Sequence, residues 1–219
     1  MPVPPLAESQ PVQVSVPPGE PATDTKDAEQ KRPAVVHHEE NLALLKEERY
    51  TLSIEELTRA LVYDQDAAII YLLRGSAYLK EGEYALALPD LNRAIELDPD
   101  LSEAFYNRGS VYYYNKQFDL AIQDFSRAIA LDPDDPNSYH NRGCAFMMRG
   151  DYKSAINDLG RSLELDPNDA RVHLSRGMAY MQDGQRERAI EDFRKVVGTT
   201  SDRAVVQEAE QMLETLQTS

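Results

Sequence analysis

The stretch SEAFYNRGSVYYYNKQFDLAIQDFSRAIALDPDD, residues 102–135, contains two segments with the apolar spacing typical of amphipathic helices. A short polar turn, Asn115 to Gln117, separates the two segments, and Asp132 and Pro133 follow the second one. Because proline cannot continue a helix, the second helix is expected to end there. The stretch therefore predicts a hairpin of two helices.

The same pattern returns every thirty-four residues, with repeats that begin at Ala68, Ser102, Pro136 and Ala170. A glycine inside a helix costs about 1 kcal/mol relative to alanine, so four in register indicate a close approach of the two helices. Small residues at position 20 permit this approach, and bulky residues at position 24 fill the space between the helices. The residues at positions 8, 20 and 24 are Gly75, Gly109, Gly143 and Gly177, then Ala87, Ala121, Ala155 and Ala189, then Leu91, Phe125, Leu159 and Phe193.

Three further segments flank the repeats. Residues 1–36 are rich in proline and show no apolar period, which predicts a disordered tail. Residues 37–67 follow the outline of the later hairpins without their glycine and proline, which predicts a degenerate N-terminal hairpin. Residues 203–217 have one apolar stripe on an otherwise polar helix, which predicts a capping helix over the open end of the stack. The four clear repeats occupy residues 68–101, 102–135, 136–169 and 170–202.

The repeats resemble the tetratricopeptide repeat family. The family pattern has an aromatic residue at position 4, glycine at 8, tyrosine at 11, alanine at 20 and 27, phenylalanine at 24 and proline at 32. The last repeat departs most from it, with His173 at position 4, Val196 at position 27 and Ser201 in place of the proline. The resemblance is close over residues 68–202 and loose over residues 36–67. It implies an all-α fold, a right-handed α-solenoid of antiparallel helix pairs, and a function in holding segments of other proteins.

Composition and charge narrow the classes of function. The formal net charge of −15 opposes binding to nucleic acid or to an anionic membrane surface. No stretch approaches the roughly 20 apolar residues of a membrane span, and Met1 to Gln10 lack the basic start and apolar run of a secretory signal. With Cys144 as its one cysteine, the chain cannot form an internal disulfide. We therefore expect a cytoplasmic protein that does not insert into membranes.

Candidate catalytic and metal-binding residues are few. His140 and Cys144 lie four residues apart, which permits a thiol and base pair on one helix face, but no third group completes it. His37 and His38 are adjacent, so that on a helix their side chains point about 100° apart and do not easily share one metal ion. The sequence contains neither a phosphate-binding glycine loop nor a zinc-ligand spacing. We therefore predict no enzymatic activity, no metal site and no cofactor.

Position 7 is arginine in all four repeats, where the family more often has leucine, and position 23 is aspartate in all four. An interior guanidinium needs a partner, and a carboxylate matches its planar geometry with two hydrogen bonds. We therefore predict structural pairs between these positions, within a repeat or between neighbouring repeats. The residues concerned are Arg74, Arg108, Arg142 and Arg176, and Asp90, Asp124, Asp158 and Asp192.

The first helix of each repeat has a second stripe, at positions 2, 5, 6, 9, 12 and 13, that the packing pattern does not use. In the tetratricopeptide repeat family this stripe lines a concave groove, and here it is rich in tyrosine and methionine, which adapt to varied apolar ligands. The resemblance therefore implies a peptide-binding groove whose residues are Leu72, Tyr106, Asn107, Tyr113, Tyr114, His140, Asn141, Met147, Met178 and Met181. The alternative is that neighbouring first helices cover one another and leave little of the stripe exposed.

Asn107 and Asn141, both at position 6, resemble the groove asparagines with which some family members hold the backbone of a ligand. The predicted function is thus a non-enzymatic adaptor or chaperone-like module that holds an apolar segment of another protein. The alternative is a self-associating scaffold, a homo-oligomer in which the proline-rich tail or the edge of the first hairpin of one copy occupies the groove of another.

The resemblance also predicts one partner that the chain does not bind strongly, the acidic C-terminal tail of chaperones. Family members that bind this tail clamp two carboxylates with lysine, arginine and asparagine side chains. In one register the corresponding residues are Leu72, Ser76, Asn107, Asn137 and Asn141. In the next register they are Tyr106, Ser110, Asn141, Arg171 and Ser175. Too few cations remain for such a clamp.

Overall fold

The computed structural model describes residues 6–7 and 49–218, and in these ranges it contains ten α-helices and no strand. The helices are α1 (Tyr50–Tyr63), α2 (Ala68–Lys80), α3 (Tyr84–Leu97), α4 (Ser102–Tyr114), α5 (Phe118–Leu131), α6 (Pro136–Arg149), α7 (Tyr152–Leu165), α8 (Ala170–Gln182), α9 (Arg186–Thr199) and α10 (Arg203–Thr218). Four of them, α2, α4, α6 and α8, begin at the first residue of a predicted repeat. The fold class is an all-α solenoid of helix pairs, as predicted.

Parts of the predicted division of the chain lie outside the described residues. These parts are the tail apart from residues 6–7, the histidines at positions 37 and 38, and the first half of the degenerate hairpin. The second half of that hairpin contains α1. The described residues form two compact units, one of residues 49–111 and one of residues 6–7 together with 112–218.

Each unit is built from helices that pack on their neighbours in sequence. In the unit of residues 49–111, α1 packs on α2 and α2 packs on α3. In the unit that contains residues 112–218, each helix from α5 to α9 packs on the next, and α10 also contacts α8. Ala209 and Leu216 of α10 are buried in the same apolar cluster as Phe193 of α9.

The glycines at position 8 lie directly against the bulky residue at position 24 of their own repeat. A Cβ atom added to Gly177 would lie 2.6 Å from the ring of Phe193. Added to Gly75 or Gly143, it would lie 2.8 or 2.9 Å from a leucine Cγ at the same repeat position. These distances are shorter than a carbon–carbon van der Waals contact. The close helix approach that the glycines predicted is therefore confirmed in these three repeats.

The helices also begin and end at the residues that the sequence pattern indicates. Helices α3, α5 and α7 end at the leucine of a Leu-Asp-Pro string, and the aspartate that follows has an extended backbone in each case. At the start of α6, the carboxylate of Asp135 accepts hydrogen bonds from the backbone N–H groups of Asn137 at 3.1 Å and Ser138 at 2.9 Å. Such a cap satisfies donors that the first helical turn leaves free.

Ion pairs between a half-buried arginine and a buried aspartate join the two helices of a repeat. In each pair, Nε and Nη2 of the position-7 arginine donate to the two carboxylate oxygens of the position-23 aspartate, at 2.6 to 2.8 Å. The pairs are Arg74–Asp90, Arg142–Asp158 and Arg176–Asp192. All three aspartates are buried. The predicted structural role of these arginines is therefore confirmed in three repeats.

Three of the four position-7 arginines also contact position 25 of the preceding repeat, which the sequence did not predict. The three hydrogen bonds, from Nη1 of the arginine in each case, are Arg74 to Thr58 at 3.1 Å, Arg108 to Asn92 at 2.8 Å and Arg142 to Ser126 at 3.0 Å. The residue at this position before Arg176 is Gly160, which has no side chain to accept such a bond. A Cβ atom added to Gly160 would lie 4.0 Å from Arg176 Nη1.

We expect Gly160→Ser to raise the free energy of unfolding by about 1.5 kcal/mol, because a serine hydroxyl there accepts a hydrogen bond from Arg176 and glycine is lost from a helix interior. Urea denaturation followed by circular dichroism measures the change. Gly160→Ala is the control. Without the hydrogen bond to Arg176, intrinsic helix propensity would make the serine variant less stable than the alanine variant. That order, if observed, would contradict the inter-repeat hydrogen bond.

Candidate peptide-binding site

The ten predicted groove residues are distributed over both compact units. Leu72, Tyr106 and Asn107 belong to the unit of residues 49–111, and the other seven belong to the unit of residues 112–218. Eight of the ten are buried, Met181 is half-buried, and Tyr114 is 39% exposed. The buried residues are Leu72, Tyr106, Asn107, Tyr113, His140, Asn141, Met147 and Met178.

Three of the predicted groove residues take part in the apolar packing of their own unit. Leu72 is fully buried in a cluster with the aliphatic side chains of α3, and Met147 and Met178 belong to the cluster that also contains Phe193. The prediction that helix packing does not use these positions is wrong for these three residues, because neighbouring helices cover them. That they contact a ligand stays a prediction.

Tyr113 is also a packing residue. Its side chain is fully buried, and its ring meets the rings of Tyr114 and Phe118 edge to face, with centroids 5.8 and 5.7 Å apart. Burial raises the pKa of the Tyr113 phenol above its ordinary value. Tyr114, one residue further along, is the exposed aromatic side chain of the set.

Asn141 binds the backbone of a distant residue of the chain with both ends of its side-chain amide. Its Oδ1 accepts a hydrogen bond from the N–H of Ala7 at 2.7 Å, and its Nδ2 donates to the carbonyl oxygen of Ala7 at 3.3 Å. Both bonds are buried, and the partners are 134 residues apart in sequence. Asn141 therefore binds the backbone of another segment of its own chain, and that it binds the backbone of a separate ligand stays a prediction.

The segment that Asn141 binds belongs to the proline-rich tail, which the self-associating alternative placed in the groove of another copy and not in that of the same chain. Leu6 is 8% exposed and Ala7 is 4% exposed, so the prediction of a disordered, solvated tail is wrong for these two residues. The rest of residues 1–36 lies outside the described part of the chain. One signal was present in the sequence, since Leu6 is the one leucine among these 36 residues.

Asn107 occupies the same repeat position as Asn141 but has a different partner. Its Nδ2 donates a hydrogen bond of 2.6 Å to Oγ of Ser76, at position 9 of the preceding repeat. Its amide nitrogen therefore joins two neighbouring first helices. The sequence did not distinguish the two asparagines, because both stand at position 6 and the difference lies in what each one meets.

His140 and Cys144 both contact Ser175 of the next repeat. His140 Nε2 lies 3.1 Å from Ser175 Oγ, and the Cys144 thiol donates to the same oxygen at 4.0 Å. Burial lowers the pKa of His140 to about 4 and raises the pKa of the Cys144 thiol to about 12. The cysteine is therefore a neutral thiol at pH 7, whereas a nucleophilic cysteine must be a thiolate. This arrangement does not favour thiol catalysis.

One atom of this cluster has no partner within the described part of the chain. His140 Nδ1 is buried and makes no hydrogen bond there. Because the imidazole is neutral at pH 7, this nitrogen is either a donor or an acceptor according to the tautomer. In either tautomer it matches a group of a peptide backbone, an acceptor carbonyl or a donor N–H.

The described residues contain no group of three or more His, Cys, Asp or Glu side chains placed to hold a metal ion. Over the same ranges, no helix has the length and apolar content needed to cross a membrane.

Comparison with protein families identifies the repeats. Sequence models described as tetratricopeptide repeat match residues 102–135, 125–157 and 170–202. A further model, described as TPR repeat, matches residues 75–115 and 143–184. Together the matches cover residues 75–202 without a gap, which is more than half of the chain. The protein belongs to the tetratricopeptide repeat family.

Solved structures with the same fold include three proteins of low sequence identity. MamA from Desulfovibrio magneticus RS-1 is 21% identical, with 76% of this chain and 94% of that chain covered and a TM-score of 0.70. YrrB is 22% identical, with 87% and 98% covered and a TM-score of 0.68. PilF from Pseudomonas aeruginosa is 18% identical, with 86% and 90% covered and a TM-score of 0.72. No curated protein is similar enough in sequence to count as a match.

Proposed function

We propose that this chain is a non-enzymatic adaptor or chaperone-like module of the cytoplasm that binds an extended, apolar segment of another protein. The observation that carries the proposal is the pair of buried hydrogen bonds between the Asn141 amide and the backbone of Ala7. A tetratricopeptide repeat protein is a protein-protein interaction module. We place the ligand at Asn141 because its amide already binds the backbone of Ala7.

The geometry of the asparagine selects the conformation of its ligand. An amide has one acceptor and one donor side by side, so it pairs with the N–H and the C=O of a single residue only if both point to the same side. An extended residue has this arrangement, whereas in an α-helix the two groups point in opposite directions along the axis. The proposed ligand is therefore extended at Asn141, and it has no proline there because proline lacks the N–H.

The less buried residues of the predicted groove and the net charge favour an apolar, non-acidic ligand. Tyr114 is exposed, and Met181 is half-buried against the apolar cluster of its unit, so both offer adaptable apolar surface. The net charge of −15 opposes an acidic segment. Arg171, the cation of the second clamp register, is ion-paired with Asp169 at 2.8 Å. The proposal therefore retains the prediction of no strong binding to the acidic tail of chaperones.

The unpartnered nitrogen of His140 supports a ligand longer than one residue. His140 precedes Asn141 in α6, and its Nδ1 is buried without a hydrogen bond among the described residues. An unsatisfied buried polar atom costs about 1 to 3 kcal/mol, which a backbone group of a bound peptide removes. One of the structural neighbours, YrrB, is described as a TPR protein with an unusual peptide-binding site, which agrees with a peptide as ligand.

The proposal is tested by selecting peptides from a random display library on the full chain and measuring their affinity for variants. We expect the selected peptides to bind Asn141→Ala at least about tenfold more weakly, the loss that about 1.4 kcal/mol of hydrogen bonding represents. Asn168→Ala is the matched control, because Asn168 lies in the turn before α8 and is exposed. Peptides that bind both variants as tightly as the wild-type chain would contradict the proposed function.

The self-associating scaffold remains the second candidate. Light scattering over a concentration series distinguishes it, because a scaffold increases in mass with concentration and an adaptor that binds other proteins does not.

A further inference from the structure

Leu6 and Ala7 lie at the site proposed for a partner. Ala7 uses both of its backbone hydrogen-bonding groups on Asn141, and the side chains of Leu6 and Ala7 are buried. Residues 6–7 also belong to the same compact unit as residues 112–218, although they are far from the C-terminal repeats in sequence. The contact is therefore a long-range tertiary contact that involves backbone groups and apolar side chains together.

We propose that Leu6 and Ala7 are a built-in ligand that occupies the Asn141 site in the same molecule and must leave before a partner segment binds. The inference rests on the proposed function, since it assigns a competitor to the same site. It makes the chain a self-inhibited binding module.

The energetics of an internal ligand follow from its attachment. A segment tethered to its own site experiences an effective concentration on the order of millimolar, so that even weak binding keeps the site occupied. The apparent dissociation constant of a partner is then the intrinsic dissociation constant divided by the fraction of chains whose site is open. Two backbone hydrogen bonds and two buried apolar side chains are enough for such an equilibrium, and they are few enough for it to reverse.

The built-in ligand also indicates the chemistry of the partner. The bound pair is a leucine followed by an alanine, and the alanine is 4% exposed. A larger side chain in place of Ala7 has little room, so the residue at Asn141 is small. We infer that the partner segment has a leucine-like residue followed by a small residue with a free N–H and C=O, in an extended conformation.

The test uses the full chain and a fluorescein-labelled peptide of residues 1–10, MPVPPLAESQ, as the probe in fluorescence anisotropy. The Ala7→Pro variant of the chain lacks the backbone N–H that donates a hydrogen bond to Asn141 Oδ1, so the internal ligand is released. We expect the Ala7→Pro chain to bind the probe at least about tenfold more tightly than the wild-type chain does. Ala28→Pro is the control, because it introduces the same residue elsewhere in the N-terminal region, and it is expected to bind the probe like the wild type.

Two further arms make the result specific. A probe with Ala7→Pro is expected to bind the Ala7→Pro chain at least about tenfold more weakly than the unchanged probe. The double variant Ala7→Pro with Asn141→Ala is expected to lose the gained affinity. Equal binding of the probe by the wild-type, Ala7→Pro and Ala28→Pro chains would overturn the proposal.

The outcomes separate this inference from the proposed function. If display-selected peptides lose affinity with Asn141→Ala but bind the wild-type and Ala7→Pro chains equally, the proposed function holds and the internal ligand is refuted. If Asn141→Ala has no effect on those peptides, the proposed function itself fails. A wild-type dimer in light scattering that dissociates in Ala7→Pro would place the segment in a second copy, and it would overturn occupation within one molecule.

Discussion

Replacing Asp192 with alanine is expected to lower the free energy of unfolding by about 3 kcal/mol, because it removes the buried carboxylate that partners the half-buried Arg176 and the buried His173. Asp192 is 3% exposed and accepts hydrogen bonds from Nε and Nη2 of Arg176, both at 2.8 Å. The same carboxylate lies 2.8 Å from Nδ1 of His173. Urea denaturation monitored by circular dichroism measures the loss.

The pH dependence of the same pair gives a second readout of this prediction. Burial by itself raises the pKa of Asp192, but the hydrogen bonds from Arg176 and His173 outweigh it, and the pKa lies below its ordinary value. A carboxyl group whose pKa is lower in the folded state stabilises the fold above its unfolded-state pKa. That stabilisation is lost as the pH falls through the lower, folded-state pKa. Asp192→Ala is therefore expected to show a smaller loss of stability upon acidification than the wild type.

The control for Asp192 is a pair of the same chemistry at the surface. Arg161 and Glu164 form a salt bridge of 2.8 Å in which both side chains are largely exposed. Glu164→Ala is expected to leave the free energy of unfolding nearly unchanged, because water screens and replaces the lost contact. Similar losses for Asp192→Ala and Glu164→Ala would contradict the structural role assigned to the buried pairs.

Gly177→Ala is expected to lower the free energy of unfolding by about 2 kcal/mol, even though alanine is the better helix former by about 1 kcal/mol. The added methyl group would lie 2.6 to 3.0 Å from three atoms of the Phe193 ring. Phe193 is fully buried in the core cluster, so its ring cannot move away without displacing other side chains. Thermal and urea denaturation measure the effect.

Gly160→Ala is the matched control for the glycine prediction, since it makes the same change in a helix of the same unit. The atom nearest to a Cβ at Gly160 is Arg176 Nη1, at 4.0 Å, so the added methyl group meets no steric conflict. It is expected to raise the free energy of unfolding by about 1 kcal/mol. A Gly177→Ala variant that is as stable as Gly160→Ala would refute the close approach of α8 and α9.

Position-specific packing within a repeat was predictable from the sequence because it depends on local spacing. The glycine at position 8 and the bulky residue at position 24 lie sixteen residues apart, one on each helix of a hairpin. Four copies in register make the pattern readable without a structure. The Arg–Asp pairs at positions 7 and 23 are predictable for the same reason, since a buried guanidinium requires a carboxylate and the same spacing brings one to it.

Contacts between repeats were harder to predict from the sequence. The hydrogen bond from a position-7 arginine to position 25 of the preceding repeat depends on how two hairpins stack, and the residue at position 25 varies among threonine, asparagine, serine and glycine. The burial of Met147 and Met178 has the same origin. A stripe that one hairpin does not use is covered by the next hairpin, and the spacing within one repeat does not contain that information.

The sequence by itself determined the repeat unit, the ends of its helices, the small and bulky residues of its core and the charge pairs within it. Each of these depends on residues of one hairpin, whose separations are set by helix geometry. The tertiary structure alone decided which of two equivalent asparagines holds a peptide backbone. Asn107 bonds to a neighbouring helix, whereas Asn141 bonds to Ala7 from the far end of the chain. The physical reason is that a contact across 134 residues has no period in the sequence and depends on the surface that the folded repeats present.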